Sequence, residues 1–270
     1  MACVNKNTGH FFIFLFRIIS LIKTNEMRKI LVFIGLSFIL NSCQFLANEN
    51  NEQKPVKDSI TVRKYYYEKT KTLRKEITVK NNKKNGPAKE YYPTGELRTL
   101  VYYVNSFREG ETTWYYKNRQ PYRLTPYVNN KIHGIRKMYY ENGKLQAEIP
   151  YKAGELQVGT VEYDTKGNKI NNSPKFIFKI TDSRKKSNKV FVKVSLSKKY
   201  SKTIFFQELP SSEDKLVRVP VQTNAGVGTI KFIVQNEYVF NKNIKVYSRF
   251  ETSLRNPVLI EENYSLFLNN

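Results

Sequence analysis

The chain has 270 residues, of which 46 are Lys or Arg and 23 are Asp or Glu, giving a formal net charge of +23. At roughly 150 residues per domain, this length corresponds to one or two domains with a substantial core. Hydrophobic residues make up 40% and aromatic residues 14%, which excludes a wholly disordered chain. Two cysteines and two histidines exclude a disulfide scaffold and a Cys-rich zinc site, and leave little for a catalytic triad or a His-ligated metal.

Two apolar stretches open the chain. The first, residues 11–22, contains Arg17 and is short for a bilayer span. The second follows Met27: two basic residues come first, and residues 30–40 then form an apolar region of signal-peptide length. We therefore expect translation to start at Met27, with a longer tandem leader as the alternative.

The second stretch ends in Leu40-Asn41-Ser42-Cys43, with an aliphatic residue three positions before the cysteine and a small one directly before it. This resembles the lipobox of bacterial lipoproteins, in which the cysteine receives a diacylglycerol and, after cleavage, usually a further acyl chain. The resemblance implies a leader over residues 1–42, lipidation of Cys43 and anchoring in the bacterial cell envelope. We expect the outer membrane, with the leaflet left open. The alternative is a Cys43 buried in an ordinary core helix.

Residues 43–59 are polar and lack periodicity, so we interpret them as the flexible tether between the lipid and the first folded unit. Two or more acyl chains hold a protein at a membrane, because each buried methylene contributes about 0.8 kcal/mol.

A repeat of 24 residues occupies approximately residues 60–172. Its clearest mark is a tyrosine in every copy: Tyr67, Tyr91, Tyr115, Tyr139 and Tyr163. A second tyrosine follows in three copies, at Tyr92, Tyr116 and Tyr140, and Asp164 takes that place in the last. Glycines recur five residues before the first tyrosine (Gly86, Gly110, Gly134) and four residues after it (Gly95, Gly143, Gly167). Internal repeats of this length indicate stacked supersecondary units.

Each copy is predicted to form one β-hairpin. In the most regular copy a strand ends at Tyr139-Tyr140, Asn142-Gly143 supplies a two-residue turn with positive φ, and a second strand runs from Leu145 to Tyr151. A single hairpin is marginal in water, so the copies must stack into one sheet. The first copy has Lys71 at the turn glycine's position and the third has Arg119. We expect altered turns in both, and the first copy is a candidate cap.

The pattern Gly-x-x-x-x-Tyr-Tyr-x-x-Gly-x-Leu, followed by a tyrosine and a glycine, resembles the MORN-repeat variant, specifically the YwqK-type antitoxin-like family. The resemblance covers about residues 61–170, with four good copies and one poor one. It implies a meandering sheet of stacked hairpins, in agreement with the periodicity, and a binding or scaffolding role. The motif carries no catalytic residues, so none is transferred to this chain.

Residues 173–270 have a different pattern. Short runs of alternating apolar residues, such as Val190, Val192, Val194 and Leu196, are separated by turn-rich segments at 182–188, 210–214 and 224–226. Strands at this spacing predict an antiparallel β-sandwich of immunoglobulin-like architecture. The predicted fold class is therefore all-β: a MORN-like sheet of stacked antiparallel hairpins over 60–172, followed by the C-terminal β-sandwich domain.

Basic residues interleaved with aromatic ones are the sequence feature that most favours a function. We take Trp114, Tyr115, Tyr116, Tyr139 and Tyr140 as the candidate binding surface. Basic and aromatic surfaces bind anionic ligands. An exported lipoprotein rarely meets nucleic acid, so we expect a protein or an anionic envelope ligand as the partner, in addition to the membrane reached through Cys43. The alternative is that the tyrosines form the core and the lysines only maintain solubility.

These observations predict a lipid-anchored, non-catalytic interaction or scaffold module, with no cofactor, no metal and an open oligomeric state. One alternative is an antitoxin or immunity protein that binds a partner toxin. Another is an envelope glycan-binding protein or a hydrolase that uses some of the scattered carboxylates, since sequence alone does not exclude a glycosidase-like pair.

Overall fold

The structure is a computed structural model that describes residues 59–171, 173–234 and 239–269. The expected leader, Cys43 and all of the tether except its last residue lie outside the described residues. Within these ranges the chain forms two antiparallel sheets and one four-residue helix, α1 (Arg184–Ser187). No helix in the described ranges is long and apolar enough to cross a membrane. The prediction of an all-β fold is confirmed.

The first sheet contains the 24-residue repeats. Its strands are β1 (Ile60–Tyr66), β2 (Leu73–Lys80), β3 (Lys83–Tyr91), β4 (Leu97–Val104), β5 (Phe107–Arg108), β6 (Gly110–Tyr115), β7 (Pro121–Val128), β8 (Lys131–Ile132), β9 (Gly134–Tyr139), β10 (Leu145–Lys152), β11 (Glu155–Leu156) and β12 (Val161–Glu162). They pair in the order β1-β2-β3-β4-β6-β7-β9-β10-β11, with β5 beside β4, β8 beside β7 and β12 beside β10. This is an antiparallel meander of stacked hairpins, as the repeat predicts.

In the second, third and fourth copies the turn that follows the tyrosine pair has three loop residues and not the two predicted. In the fourth copy the Gly143 N–H donates to the Tyr140 carbonyl oxygen at 2.9 Å, and the Tyr140 N–H donates to the Lys144 carbonyl oxygen at 2.9 Å. Gly143 has a φ of 81°, whereas Asn142 is not among the residues with positive φ. This is the three-residue hairpin loop that ends in a left-handed residue, so one position requires glycine.

The opposite ends of the hairpins carry the two-residue turns. Both central residues have positive φ in each of these turns, at Asn81-Asn82, Asn105-Ser106, Asn129-Asn130 and Ala153-Gly154. Asparagine tolerates this conformation better than most residues, and two successive positive φ angles match the twist of the flanking strands. These turns lead the chain from one copy into the next.

Altered turns were predicted for the first and third copies, and only the first turn is altered. Arg119 has a φ of 70°, and its N–H donates to the Tyr116 carbonyl oxygen at 3.0 Å, as the turn glycine does in other copies. The prediction of an altered third turn is therefore wrong. In the first copy the Lys71 N–H reaches the Tyr67 carbonyl oxygen at 3.0 Å, so this turn is one residue longer. Because of the extra residue, Tyr67 occupies the position directly before the turn that Tyr92 occupies in the second copy.

The second sheet contains the remaining strands: β13 (Phe176–Ser183), β14 (Lys189–Leu196), β15 (Ser201–Pro210), β16 (Leu216–Asn224), β17 (Val227–Ile233), β18 (Val239–Glu251) and β19 (Pro257–Asn269). They pair in the order β13-β14-β17-β16-β15-β18-β19. Strand β16 connects two halves, because residues 216–221 pair with β15 and residues 222–224 pair with β17.

The two halves of the second sheet pack around one apolar core. Side chains from β14, β15, β16, β17, β18 and β19 are buried together, and Val190, Val192 and Val194 are completely inaccessible, as their alternation predicts. Phe178 of β13 stacks on Tyr264 of β19 with ring centroids 4.0 Å apart, although these strands stand at opposite ends of the pairing order. This strand order is compatible with the immunoglobulin-like architecture, which stays a prediction.

The last repeat is bonded to the second sheet through one carboxylate. Glu162 Oε1 accepts hydrogen bonds from Thr252 Oγ1 and Asn256 Nδ2, each at 2.7 Å. Beside these groups lies a cavity of about 410 Å³, whose lining also includes Tyr200 and Phe250. The predicted domain boundary at residues 172 and 173 falls between β12 and β13.

Candidate interaction surface

The two faces of the repeat sheet carry different side chains. Residues directly opposite each other in neighbouring strands share a face, and successive residues alternate. The register therefore places Trp114, Arg123, Met138 and Ala147 on one face. Alternation adds Thr125, Arg136, Ile149 and Tyr151 to it. We call this the arginine face of strands β6, β7, β9 and β10, and we call the opposite one the outer face.

The arginine face is built from small buried residues between large ones. The small members are almost completely inaccessible: Thr112, Thr125, Ala147 and Ile149 all have an exposure of 1% or less. Along the strands they alternate with wide aromatic and guanidinium groups, which are half-buried. The row of buried residues continues into the first copies at Ile77 and Ala88.

Guanidinium groups stack on aromatic rings across this face. The Cζ atom of Arg123 lies 3.7 Å from the centroid of the Trp114 ring, and that of Arg136 lies 4.7 Å from the Tyr151 ring. Arg136 Nη1 also donates a hydrogen bond to Tyr151 Oη at 3.2 Å. Stacking of this kind contributes about 0.5–2 kcal/mol, more when the groups are desolvated. The stacks hold both guanidinium groups in fixed positions.

The charges of Arg123 and Arg136 are not compensated within the described part of the chain. Neither guanidinium forms an ion pair with a described carboxylate, and Arg123 makes no side-chain hydrogen bond there. The Nε atom of each arginine and Thr125 Oγ1 are buried without a hydrogen-bond partner. Burial holds the pKa of the Arg123 guanidinium below its usual value, and the nearby charge of Arg136 lowers it further. An unsatisfied buried donor costs about 1–3 kcal/mol, so this arrangement disfavours folding.

The structure does not bring the five residues of the candidate binding surface to one face. Trp114 lies on the arginine face, whereas Tyr115 and Tyr139 follow directly after residues of that face and belong to the outer face. Tyr116 and Tyr140 begin the three-residue turns. Alternation along the strand separates adjacent residues whatever the register. The register decides which residue of the neighbouring strand stands opposite each of them, and the spacing of the tyrosines does not reveal it.

The second tyrosine of each pair joins neighbouring copies. Its hydroxyl donates to the backbone carbonyl oxygen of the first tyrosine in the next copy: Tyr92 to Tyr115 at 2.8 Å, Tyr116 to Tyr139 at 2.9 Å, and Tyr140 to Tyr163 at 2.8 Å. Tyr67 does the same toward Tyr91 at 2.7 Å. Burial raises the pKa of the Tyr116 and Tyr140 hydroxyls. We call this row of hydrogen bonds the tyrosine ladder.

The spacing of the tyrosine pairs does not predict the tyrosine ladder. Neither tyrosine of a pair is among the buried residues of the packed face. The available signal was Asp164, which replaces the second tyrosine in the last copy. Its carboxylate instead accepts hydrogen bonds from the Lys166 and Asn168 backbone N–H groups of its own turn.

Within the described residues no group of three or more His, Cys, Asp or Glu side chains is arranged to hold a metal ion.

Comparison with known proteins agrees with the repeat. Two segments of the chain, residues 84–105 and 132–153, match the family model described as MORN repeat variant. They correspond to β3–β4 and β8–β10, and each contains a three-residue turn closed by glycine, Gly95 or Gly143. The copy between them has Arg119 in that place. No curated protein and no solved structure matches the chain.

Proposed function

We propose that the chain is a lipid-anchored protein of the bacterial cell envelope that acts as a non-catalytic interaction module of the YwqK-like MORN-variant type. The arginine face of the repeat sheet is its binding surface. The observation that carries this proposal is the pair of uncompensated guanidinium groups of Arg123 and Arg136, held between aromatic rings on a sheet. Of the five residues considered from sequence, this surface keeps Trp114 and leaves out Tyr115, Tyr116, Tyr139 and Tyr140.

The residue types of the arginine face suit protein recognition. Tryptophan, tyrosine and arginine dominate the residues that contribute most to protein–protein binding. The tyrosine ladder ties successive hairpins together, so the sheet presents these side chains in a fixed arrangement. A fixed arrangement supports affinity, because little conformational entropy is lost when a partner binds.

Anchoring through Cys43 is tested by fractionation. Cells that express the wild-type chain or Cys43→Ser are labelled with a radioactive fatty acid and then lysed. The label and the amount of the chain are compared between the membrane and soluble fractions. We expect the label and the membrane association to disappear together, because acyl chains provide the anchoring energy. A Cys43→Ser chain that remains in the membrane fraction would contradict the anchor.

Interaction through the arginine face is tested by site-specific photo-crosslinking in the native envelope. The photoreactive residue replaces Met138 on the arginine face or, as the matched control, its neighbour Lys137 on the outer face. We expect a discrete adduct from position 138 and none from position 137. Equal adducts from both positions, or none from either, would refute the proposed binding surface.

A further inference from the structure

We infer that Arg123 and Arg136 together bind the carboxylate of one glutamate or aspartate that a partner protein presents in an otherwise apolar segment. This inference rests on the proposed function, in which the arginine face binds a partner, and it names the group that the face recognises. Four observations carry it: the absence of an ion-pair partner for either charge within the described residues, the proximity of the two charges, the aromatic walls, and the small number of cations that strands β6, β7, β9 and β10 contribute to this face.

The first observation concerns what Arg123 lacks. A guanidinium has five N–H donors in one plane, and Arg123 uses none of them in a hydrogen bond with a described residue. Its stacking on Trp114 occupies a flat side of the group, and its Nε is buried, so the two Nη atoms are the donors that a ligand can reach. A carboxylate matches the spacing of two parallel N–H donors.

The second observation is that two like charges are held close together. Arg123 stands opposite Met138, and Arg136 lies two residues before Met138 on the same face, so the two arginines are diagonal neighbours on adjacent strands. The charge of Arg136 accordingly lowers the pKa of Arg123, and no described carboxylate forms an ion pair with either group. An anion that contacts both groups removes this repulsion. The repulsion between the two guanidinium groups destabilises the unbound protein and therefore favours the binding of an anion by the pair.

The remaining observations distinguish a single carboxylate from an extended polyanion. Strands β6, β7, β9 and β10 contribute two cations to the arginine face, Arg123 and Arg136, among threonine, alanine, methionine and aromatic residues. A third cation, Arg108 of β5, stacks on Tyr127 with its Cζ 4.1 Å from the ring centroid, but its guanidinium already donates to Asn130. Nucleic acids and anionic membranes are instead bound by rows of lysine and arginine that neutralise many charges. Trp114 and Tyr151 beside the pair provide apolar surface for the residues that flank an acidic side chain. The site thus fits one planar anion in an otherwise apolar segment.

The test uses Trp114, which is the single tryptophan of the chain and stacks on Arg123. The full chain in vesicles of neutral phosphatidylcholine is titrated with a peptide that carries one glutamate among apolar residues. Binding is followed by Trp114 emission and, as a second readout, by calorimetry. Parallel titrations use inorganic phosphate and vesicles that contain anionic phospholipid. We expect saturable binding of the glutamate peptide, and weaker binding of phosphate and vesicles.

Three variants and one matched control assign the effect to the arginine pair. Arg123→Gln and Arg136→Gln are each expected to weaken peptide binding at least tenfold, and Arg123→Lys, which keeps the charge but loses the planar edge, about fivefold. Arg98→Gln removes the same charge from an exposed position elsewhere on the sheet and is expected to change the affinity less than twofold. If Arg123→Gln fails to fold, Arg123→Lys and Arg136→Gln carry the test.

Several outcomes would overturn the inference. They are the absence of saturable peptide binding, an equal loss with Arg98→Gln, or tighter binding of phosphate or of vesicles than of the peptide. A crosslink from position 138 without peptide binding would reject the carboxylate but leave the proposed binding surface in place. Absence of that crosslink would reject the surface itself, so the two failures are distinguishable.

Discussion

Removal of one hydroxyl from the tyrosine ladder tests whether the hydrogen bonds between copies stabilise the repeat sheet. Tyr116→Phe deletes the donor that bonds the Tyr139 carbonyl oxygen at 2.9 Å and leaves the ring in place. A net hydrogen bond contributes about 1 kcal/mol, so the free energy of unfolding should fall by about that amount. Substitution of Tyr92, Tyr116 and Tyr140 together should cost about 3 kcal/mol, because the three bonds belong to different copies and separate sites are nearly additive.

The assay is urea unfolding followed by far-ultraviolet circular dichroism. With a slope of about 2 kcal/mol per molar urea, a loss of 1 kcal/mol lowers the midpoint by about 0.5 M. Tyr115→Phe is the matched control, because the Tyr115 hydroxyl makes no hydrogen bond with a described residue. Its effect should stay within about 0.5 kcal/mol. Equal losses for Tyr116→Phe and Tyr115→Phe would refute the ladder as a source of stability.

Three further predictions concern the turns and one titrating pair. Arg119→Gly should raise the free energy of unfolding by about 1 kcal/mol in the same assay, since Arg119 has a φ of 70° and a left-handed conformation is costly for a residue with a Cβ. Gly134→Ala should lower it by about 1–3 kcal/mol, since a Cβ there would lie 3.1 Å from Pro126 Cγ at a φ of 111°. Burial and then the hydrogen bond to Glu76 raise the pKa of Tyr91 to about 12. This pKa is above the unfolded value of about 10, so the protonated Tyr91 hydroxyl stabilises the fold fully below pH 10, and this stabilisation is lost as pH rises toward 12. The urea midpoint of Tyr91→Phe should therefore decline less than that of the wild type over this range.

The repeat period and the strands were predictable from sequence because they depend on spacing alone. Tyrosine and glycine columns at 24 residues located every hairpin, and the strands Gly134–Tyr139 and Leu145–Lys152 match the prediction within one residue. The length of the turn was not predictable from Asn142-Gly143, because the same pair closes both a two-residue and a three-residue loop. Only the hydrogen bond from Gly143 to Tyr140 distinguishes them.

The arginine face was not predictable because it depends on register. The pairing shifts by one residue between Trp114 and Tyr115, so that Trp114 stands opposite Arg123 while Tyr115 stands opposite Pro121. An irregularity of this kind changes which residues stand opposite each other, and the spacing of the tyrosines does not reveal it. Sequence spacing therefore grouped Trp114 with the tyrosines that follow it, whereas its contact is with an arginine on the next strand.

The central claim is that the arginine pair is retained for binding and not for folding, and the free energy of unfolding of Arg123→Met tests it most directly. Methionine fills most of the same volume over Trp114 and removes a half-buried charge together with its unpartnered Nε. Loss of the stacking, about 0.5–2 kcal/mol, is offset by removal of the unsatisfied donor, about 1–3 kcal/mol. We predict that the urea midpoint of Arg123→Met stays equal to that of the wild type or rises. A fall equivalent to more than about 1 kcal/mol would show that Arg123 stabilises the sheet, and it would contradict this account.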